Sequence, residues 1–264
     1  QIAIFHRFAL DAGFSTLEEA TLTDGERANF VQQVAALLSV VSGQRDGASG
    51  LEDREELWRW VGWVFERLEE SAQAELNDAF RELGMNLLAL ATGFELRQGA
   101  VRAAEDPLVG ADAATLRLVI RGLTDALRES DVTLVRVGAL LGLMLQETGG
   151  VEASYVEPTA REILAGPSTQ AGVRRKEALL IALEAYPIES LAPAVVASLR
   201  SIVNVMQTDD QALRRAPQLF SRAHPLLNDI LEASFEVNWQ ANPVRTTRDD
   251  YERIVAGWEA RLGS

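Results

Sequence analysis

Three polar residues recur at every fourth position in one stretch of this sequence. Asn228, Glu232 and Glu236 would share one face of a helix, because residues four apart lie nearly one above the other. Amide and carboxylate oxygens are the ligands that Mg²⁺ prefers in proteins. The spacing therefore predicts one possible chemistry, metal-assisted catalysis. The alternative is that the three residues form a solvated acidic helix face.

The same three positions resemble the Asn-Asp metal motif of terpene synthases, which implies a prenyl-type site. Glu232 departs from that motif, which has Ser or Thr there, and no aspartate-rich partner motif precedes it. Aromatic residues make up only 6% of the chain, which is few for a pocket that shelters a carbocation. We therefore keep an all-α enzyme of this type as an alternative, and we expect no cofactor and no metal in the favoured interpretation.

A cluster of three tryptophans offers a second kind of chemistry, recognition of a partner. A helical projection of residues 57–70 places Trp60 on an apolar face, Trp58 at its edge and Trp63 on the other side, beside Arg59 and Arg67. An exposed indole flanked by arginines is typical of an interface hot spot. The alternative is that a neighbouring helix covers Trp63. We assign Trp58 and Trp60 to the core.

The remaining residue inventory excludes several classes of enzyme. The chain has no cysteine, which excludes disulfides, thiolate metal sites and cysteine nucleophiles. Its two histidines are too few for a histidine-rich metal site, and His224, just before Pro225, is expected to be a helix cap or a surface residue. Dinucleotide-binding glycine motifs, P-loops and Gly-x-Ser-x-Gly motifs are absent. Catalysis by carboxylates alone stays open, but no pair has a distinctive spacing.

Net charge limits the partners. The charge of −14 comes from 39 acids and 25 bases, and no segment gathers the bases into a stripe, so nucleic acid is not an expected partner. Lys176 is the only lysine, a bias that is typical of a GC-rich genome. No uncharged apolar run reaches about 20 residues, which argues against membrane insertion. The compartment stays open, with the cytoplasm favoured; because the chain begins at Gln1 and not Met, we expect that it has been processed or trimmed.

Apolar residues recur at three- and four-residue spacing through most of the chain, which predicts an all-α fold. Helices are predicted over 2–12, 25–42, 52–70, 73–92, 94–104, 112–129, 131–147, 159–165, 171–186, 188–206, 209–223, 225–240 and 247–262. Pro158 and Pro225 are expected in or before first turns, and Thr159 to Glu162 resembles a capping box. We expect one all-α domain over 1–264, with a mobile loop at 42–50 and a possible hinge at 148–158 between 1–147 and 159–264.

Six arginines follow one another at nearly even intervals, each near the start of a helix-like stretch. They are separated by 38, 39, 38, 40 and 39 residues and are Arg59, Arg97, Arg136, Arg174, Arg214 and Arg253. A period of about 40 residues is typical of a two-helix unit that stacks into a solenoid. Four of these arginines have an aspartate four to six positions upstream, namely Asp53, Asp131, Asp209 and Asp249. Asp210 and Asp250 are alternative acids for the last two of these arginines.

This unit resembles a HEAT-type repeat over about residues 52–262. The family pattern has an acid, then Val-Arg, then an alanine- and leucine-rich face, which implies antiparallel helix pairs stacked as a short solenoid. An irregular multi-helix bundle is the alternative. Arg97 and Arg174 lack the upstream aspartate, so the aspartate–arginine ladder that the resemblance implies would be broken there.

The function favoured by these observations is a non-enzymatic adaptor or scaffold that binds a protein or peptide partner. Trp63, Arg97 and Arg174 are the candidate partner-binding residues, and an acidic or C-terminal peptide motif is the expected ligand. A self-assembling structural protein is a further alternative, in which Gly138 and Gly142 could form a homodimer seam. Their primary interpretation is close helix packing within the chain.

Overall fold

The computed structural model describes residues 58–59, 61–66, 81, 84–85, 87–88, 95–97, 100–102, 108, 110–129, 134–206, 210–233 and 248–263. The helices predicted over 2–12 and 25–42, most of the one over 73–92, the loop at 42–50, and Trp60, Arg67 and Glu236 lie outside the described residues.

The described elements are mainly helical, as the sequence predicts. Seven α-helices, one 3₁₀ turn and two short strands can be delimited within the described part of the chain. They are β1 (Glu95–Arg97), β2 (Ala100–Arg102), α1 (Ala113–Glu129), α2 (Leu134–Glu147), α3 (Ala153–Ala165), α4 (Gln170–Ala185), the 3₁₀ turn Glu189–Leu191, α5 (Ala192–Val205), α6 (Asp210–Ile230) and α7 (Arg248–Leu262). The prediction of an all-α fold is confirmed.

The prediction of a helix over 94–104 is wrong. β1 and β2 pair antiparallel, with Glu95 opposite Arg102 and Arg97 opposite Ala100. This register leaves a connection of two residues that includes Gly99, a residue type that two-residue hairpins favour. Arg97 therefore ends a strand and does not begin a helix.

The chain divides into two compact units, 1–122 and 123–264. In the first unit, Trp58, Val61, Val64 and Phe65 are buried on one helical stretch. A Cβ at Gly122 in α1 would lie 1.9 Å from the Phe65 ring, so the ring packs directly on the backbone of α1. The predicted hinge at 148–158 lies inside the second unit, where residues from Ala153 onward already belong to α3.

Helices of the second unit contact every second neighbour along the chain. α2 packs on α4 and α4 on α6, whereas α3 packs on α5 and α5 on α7. Contacts of α3 with α4 and of α5 with α6 join the two rows. The unit therefore has two layers, α2-α4-α6 and α3-α5-α7, which is the connectivity of stacked helical hairpins. The first layer repeats at 36 and 40 residues, counted between Leu134, Gln170 and Asp210.

Glycines set the approach of α2 to α4. A Cβ at Gly138 would lie 2.0 Å from the carbonyl oxygen of Ala178, and one at Gly142 would lie 2.7 Å from that of Ala182. The two contacts progress in the same direction, so α2 and α4 run parallel. The predicted packing role of this glycine pair is confirmed, and α4 occupies the face that a homodimer seam would have used.

Two proline positions correct the predicted helix boundaries. Pro158 lies inside α3, which begins at Ala153, so the capping box at Thr159 is wrong: Thr159 is itself 2% exposed. Pro225 lies inside α6, which continues where two helices were expected. In both cases a buried apolar face crosses the proline, and its packing outweighs the loss of one backbone hydrogen bond. Those faces are Val156, Ala160 and Ile163 in α3 and Phe220, Ala223 and Leu227 in α6.

Within the described part of the chain, no helix combines the length and the apolar character that a membrane crossing requires.

Candidate functional site

The three predicted partner-binding residues are distributed over both units. Trp63 and Arg97 belong to the first unit and Arg174 to the second. Trp63 is half-buried, on the same helical stretch as Trp58, whose predicted core position is confirmed at 1% exposure. The side chain of Arg97 lies outside the described residues. Arg174 is therefore the candidate whose surroundings can be built up in detail.

Helix α4 positions Arg174 in its second turn. The helix begins after Thr169, whose Oγ1 accepts a hydrogen bond from the backbone nitrogen of Gly172 at 3.3 Å. Gly172 lies against the carbonyl oxygen of Pro167, and a Cβ there would be 1.9 Å from that oxygen. This cap fixes where the helix starts. It also fixes the row of residues 174, 178 and 182, of which Ala178 and Ala182 meet α2.

Arg174 is the first residue of that row, and its side chain is exposed. Three residues further on, Glu177 is half-buried, and burial raises the pKa of its carboxyl group. The charges of Arg222 and Arg174 act in the opposite direction and lower the pKa of Glu177. Arg174 thus contributes to the local field without closing an ion pair to any carboxylate of the described residues.

Arg222, the other arginine that acts on Glu177, already forms an ion pair. Arg222 on α6 donates from Nη1 to Glu184 Oε2 on α4 at 2.8 Å, so this pair ties neighbouring helices of the first layer. The α4 edge therefore carries Glu184, which holds an arginine of α6, and the exposed Arg174, which forms no ion pair in the described residues. An exposed guanidinium offers five N–H donors in a planar fork that matches a carboxylate.

The periodic arginines are not equivalent in the structure. Arg136, Arg174 and Arg214 lie on α2, α4 and α6, which form one layer, whereas Arg253 lies on α7 in the other layer. Arg253 does pair with an upstream acid, Asp250, at 3.1 Å, but within its own helix. Arg59 is exposed, and the side chain of Arg214 lies outside the described residues.

Ion pairs between helices use other arginines. Arg128 of α1 pairs with Glu162 of α3 at 3.0 Å, and Arg200 of α5 binds Glu259 of α7 with two hydrogen bonds of 2.9 and 2.5 Å. With Arg222 and Glu184, each of these pairs joins helices two apart in the chain. The arginine period did not identify these interhelical pairs. Asp53, Asp131 and Asp209, the acids of three steps of the predicted ladder, lie outside the described residues.

The helix face proposed for Mg²⁺ is interrupted. Helix α6 ends at Ile230, and Glu232 follows it in a left-handed conformation, with φ of 48°. Asn228 and Glu232 therefore do not lie on one continuous helix, and the prediction of that face is wrong. No group of three or more acids and histidines in the described residues could hold a metal ion.

Asn228 belongs to an aromatic cluster between α6 and α7. Its Oδ1 accepts a hydrogen bond from Trp258 Nε1 at 3.1 Å, which directs its Nδ2 to His224 Nε2 at 3.3 Å. Trp258 is fully buried, 6.4 Å from Phe220 and 6.0 Å from His224 between ring centroids. His224 is therefore in the middle of a helix and hydrogen-bonded, not a helix cap. The four-residue spacing of His224 and Asn228 was the available sequence signal for this contact.

No protein-family model, no curated protein and no solved structure matches this chain.

Proposed function

We propose that this protein is a non-enzymatic helical-repeat adaptor or scaffold of HEAT-like type, which binds a partner protein through the edge of α4 around Arg174. The observation that carries the proposal is the exposed Arg174 guanidinium, which forms no ion pair in the described part of the chain, near Arg222, which does. The ligand chemistry that fits it is a carboxylate, as in the C-terminal residue of a peptide.

The connectivity of the second unit supports this proposal. Its layers extend by adding helices at each end, and no extensive contact among the described helices joins α2 to α6 or α3 to α7. The layers therefore do not close around a central cavity as a bundle does. Stacked repeats of this kind present continuous surfaces that are used to bind other proteins.

The overall charge favours a single carboxylate over a strongly acidic segment. At a net charge of −14, long-range repulsion opposes the approach of an acidic partner. A C-terminal carboxylate adds one negative charge and can accept two parallel hydrogen bonds from one guanidinium. Trp63 and Arg97 stay candidates for contacts made by the first unit.

A peptide array tests the proposal. Synthetic peptides with free C-terminal carboxylates are probed with the full chain, and the same peptides with amidated C-termini serve as the ligand control. We expect a set of free-acid peptides that bind, and a loss of about tenfold in affinity for that set in Arg174→Ala, as removal of one charge-assisted hydrogen bond implies.

Arg253→Ala is the matched protein control. Arg253 is 77% exposed, lies in the same unit and has an acid partner within its own helix, so its removal changes net charge equally. It should retain binding. Equal binding by the wild type and Arg174→Ala, or equal binding of free and amidated peptides, would show that Arg174 does not recognise a carboxylate.

A further inference from the structure

The only lysine of this chain is one of its most deeply buried side chains. Lys176 on α4 is 1% exposed, although 24 arginines carry the remaining basic charge. Its Nζ is shielded from solvent and has no hydrogen-bond partner among the described residues. Lysine is almost never fully buried without a partner, since its long stem normally brings the amine to water.

The position of Lys176 on α4 identifies the helix face on which it is buried. Lys176 shares one face with Leu179, Leu180 and Leu183, at spacings of three, four and seven residues, and all three leucines are buried. This face is roughly 160° around the helix from Ala178, which meets α2. α4 packs on α6 and α3 as well as on α2. Exposure of the amine therefore requires this buried leucine face to open, and not the glycine seam.

We propose that Lys176 is a modification site gated by the fold: it is acylated only in molecules in which α4 has opened, and a bulky acyl group then prevents reclosure. In the reaction, the Nζ lone pair attacks the carbonyl carbon of an activated acyl donor such as a thioester. The new C–N bond forms as the C–S bond breaks, and the amine proton leaves with the thiol. No other lysine in the chain competes for the donor.

Burial, and not protonation, is what prevents acylation of Lys176 in the closed molecule. Removal from water lowers the pKa of Lys176, so more of its amine is unprotonated than in an exposed lysine. An unprotonated amine is the reactive form, so protonation does not protect the buried amine, and access of the acyl donor is what burial prevents. Because interiors are close-packed, an added acyl group of many atoms has no room at a side chain that is 1% exposed.

Competition between two lysines on one helix tests the gate. Arg174→Lys adds an exposed amine two residues from the buried one and keeps the charge. The full-length variant is treated with succinimidyl acetate, and acylation at each position is followed by peptide mass spectrometry. In native buffer we expect Lys176 to react at least about 100-fold more slowly than the new lysine, and in concentrated guanidinium at the same rate. Native rates within about tenfold of each other would overturn the proposal.

A second measurement tests reclosure. Wild type and Lys176→Met are biotinylated with a succinimidyl ester in denaturant and then returned to native buffer. Methionine is unbranched and of similar length, and both proteins carry the same label at the α-amino group. We expect Lys176→Met to recover its helical circular dichroism and cooperative melting, and the labelled wild type not to recover them. Equal recovery would show that acylation at Lys176 does not hold the molecule open.

Discussion

The carbonyl oxygen of Ala178 occupies the place that a side chain at position 138 would need. The distance of 2.0 Å from an ideal Cβ to that oxygen is far below any van der Waals contact. A backbone carbonyl in the middle of α4 cannot turn aside as a flexible side chain can. The approach of α2 to α4 therefore depends on glycine at this position.

Gly138→Ala should lower the free energy of unfolding. Alanine is the better helix former by about 1 kcal/mol, but overpacking against a backbone typically costs about 1–3 kcal/mol or more. We expect a net loss of about 2 kcal/mol in urea denaturation, and a smaller loss for Gly142→Ala, whose nearest contact would be 2.7 Å. A Gly138→Ala protein as stable as the wild type would mean that the two helices can move apart freely.

The same seam shows what sequence patterns can predict. Gly138 and Gly142 are four residues apart, and this spacing alone placed them on one helix face suited to close packing. Likewise, the period of the arginines matches the spacing of α2, α4 and α6, although it fails at Arg97 and at Arg253. The spacing of apolar and small residues predicts helix faces because a helix packs through residues three and four positions apart, which lie on one face.

Residues whose local structure or burial depends on one particular neighbouring helix could not be predicted from such spacing. Pro158 and Pro225 are ordinarily helix boundaries, and only the apolar faces buried around them keep α3 and α6 continuous. Lys176 lies on the same face as three leucines, a pattern that is compatible with a lysine stem covering apolar surface. Whether its amine then reaches water depends on how closely the neighbouring helices pack on this face of α4. That packing distance cannot be read from a helical pattern.

Lys176→Met should stabilise the protein at neutral pH. Burial lowers the pKa of Lys176 in the folded protein below its usual value of 10.5, so the unfolded chain binds more protons between the two values. Folding is therefore penalised below pH 10.5, fully so below the folded-state pKa, and the penalty is lost as the pH rises through 10.5. We expect Lys176→Met to gain about 1–3 kcal/mol at pH 7, as for an unsatisfied buried group. Urea denaturation at several pH values checks this, and a gain that does not shrink between pH 7 and 10.5 would contradict it.

The pair Arg200–Glu259 should stabilise the contact of α5 with α7 above acidic pH. Its hydrogen bond lowers the pKa of Glu259, which therefore contributes stability above the unfolded value near 4.5 and loses it as the pH falls through the lower folded value. Because both side chains are partly exposed, at 29% and 43%, solvent screening limits the coupling to about 0.5–1 kcal/mol. A double-mutant cycle with Arg200→Gln and Glu259→Gln measures it at pH 7 and pH 3. A coupling that persists unchanged at pH 3 would exclude the ionised pair as its source.

Asn228→Ala should destabilise the packing of α6 on α7 and should do so without any metal. The substitution removes the oxygen that accepts the hydrogen bond of Trp258 Nε1, and the indole is fully buried, so we expect a loss of about 1–3 kcal/mol. The loss should be smaller in a Trp258→Phe background, in which no indole N–H needs an acceptor.

Thermal melting of the wild type with Mg²⁺ and diphosphate provides the opposing test, because a ligand that binds the folded state raises the melting temperature. A rise of several degrees, abolished by Asn228→Ala, would restore the metal-assisted enzyme; we expect no such rise, because the amide of Asn228 is committed to Trp258 and His224.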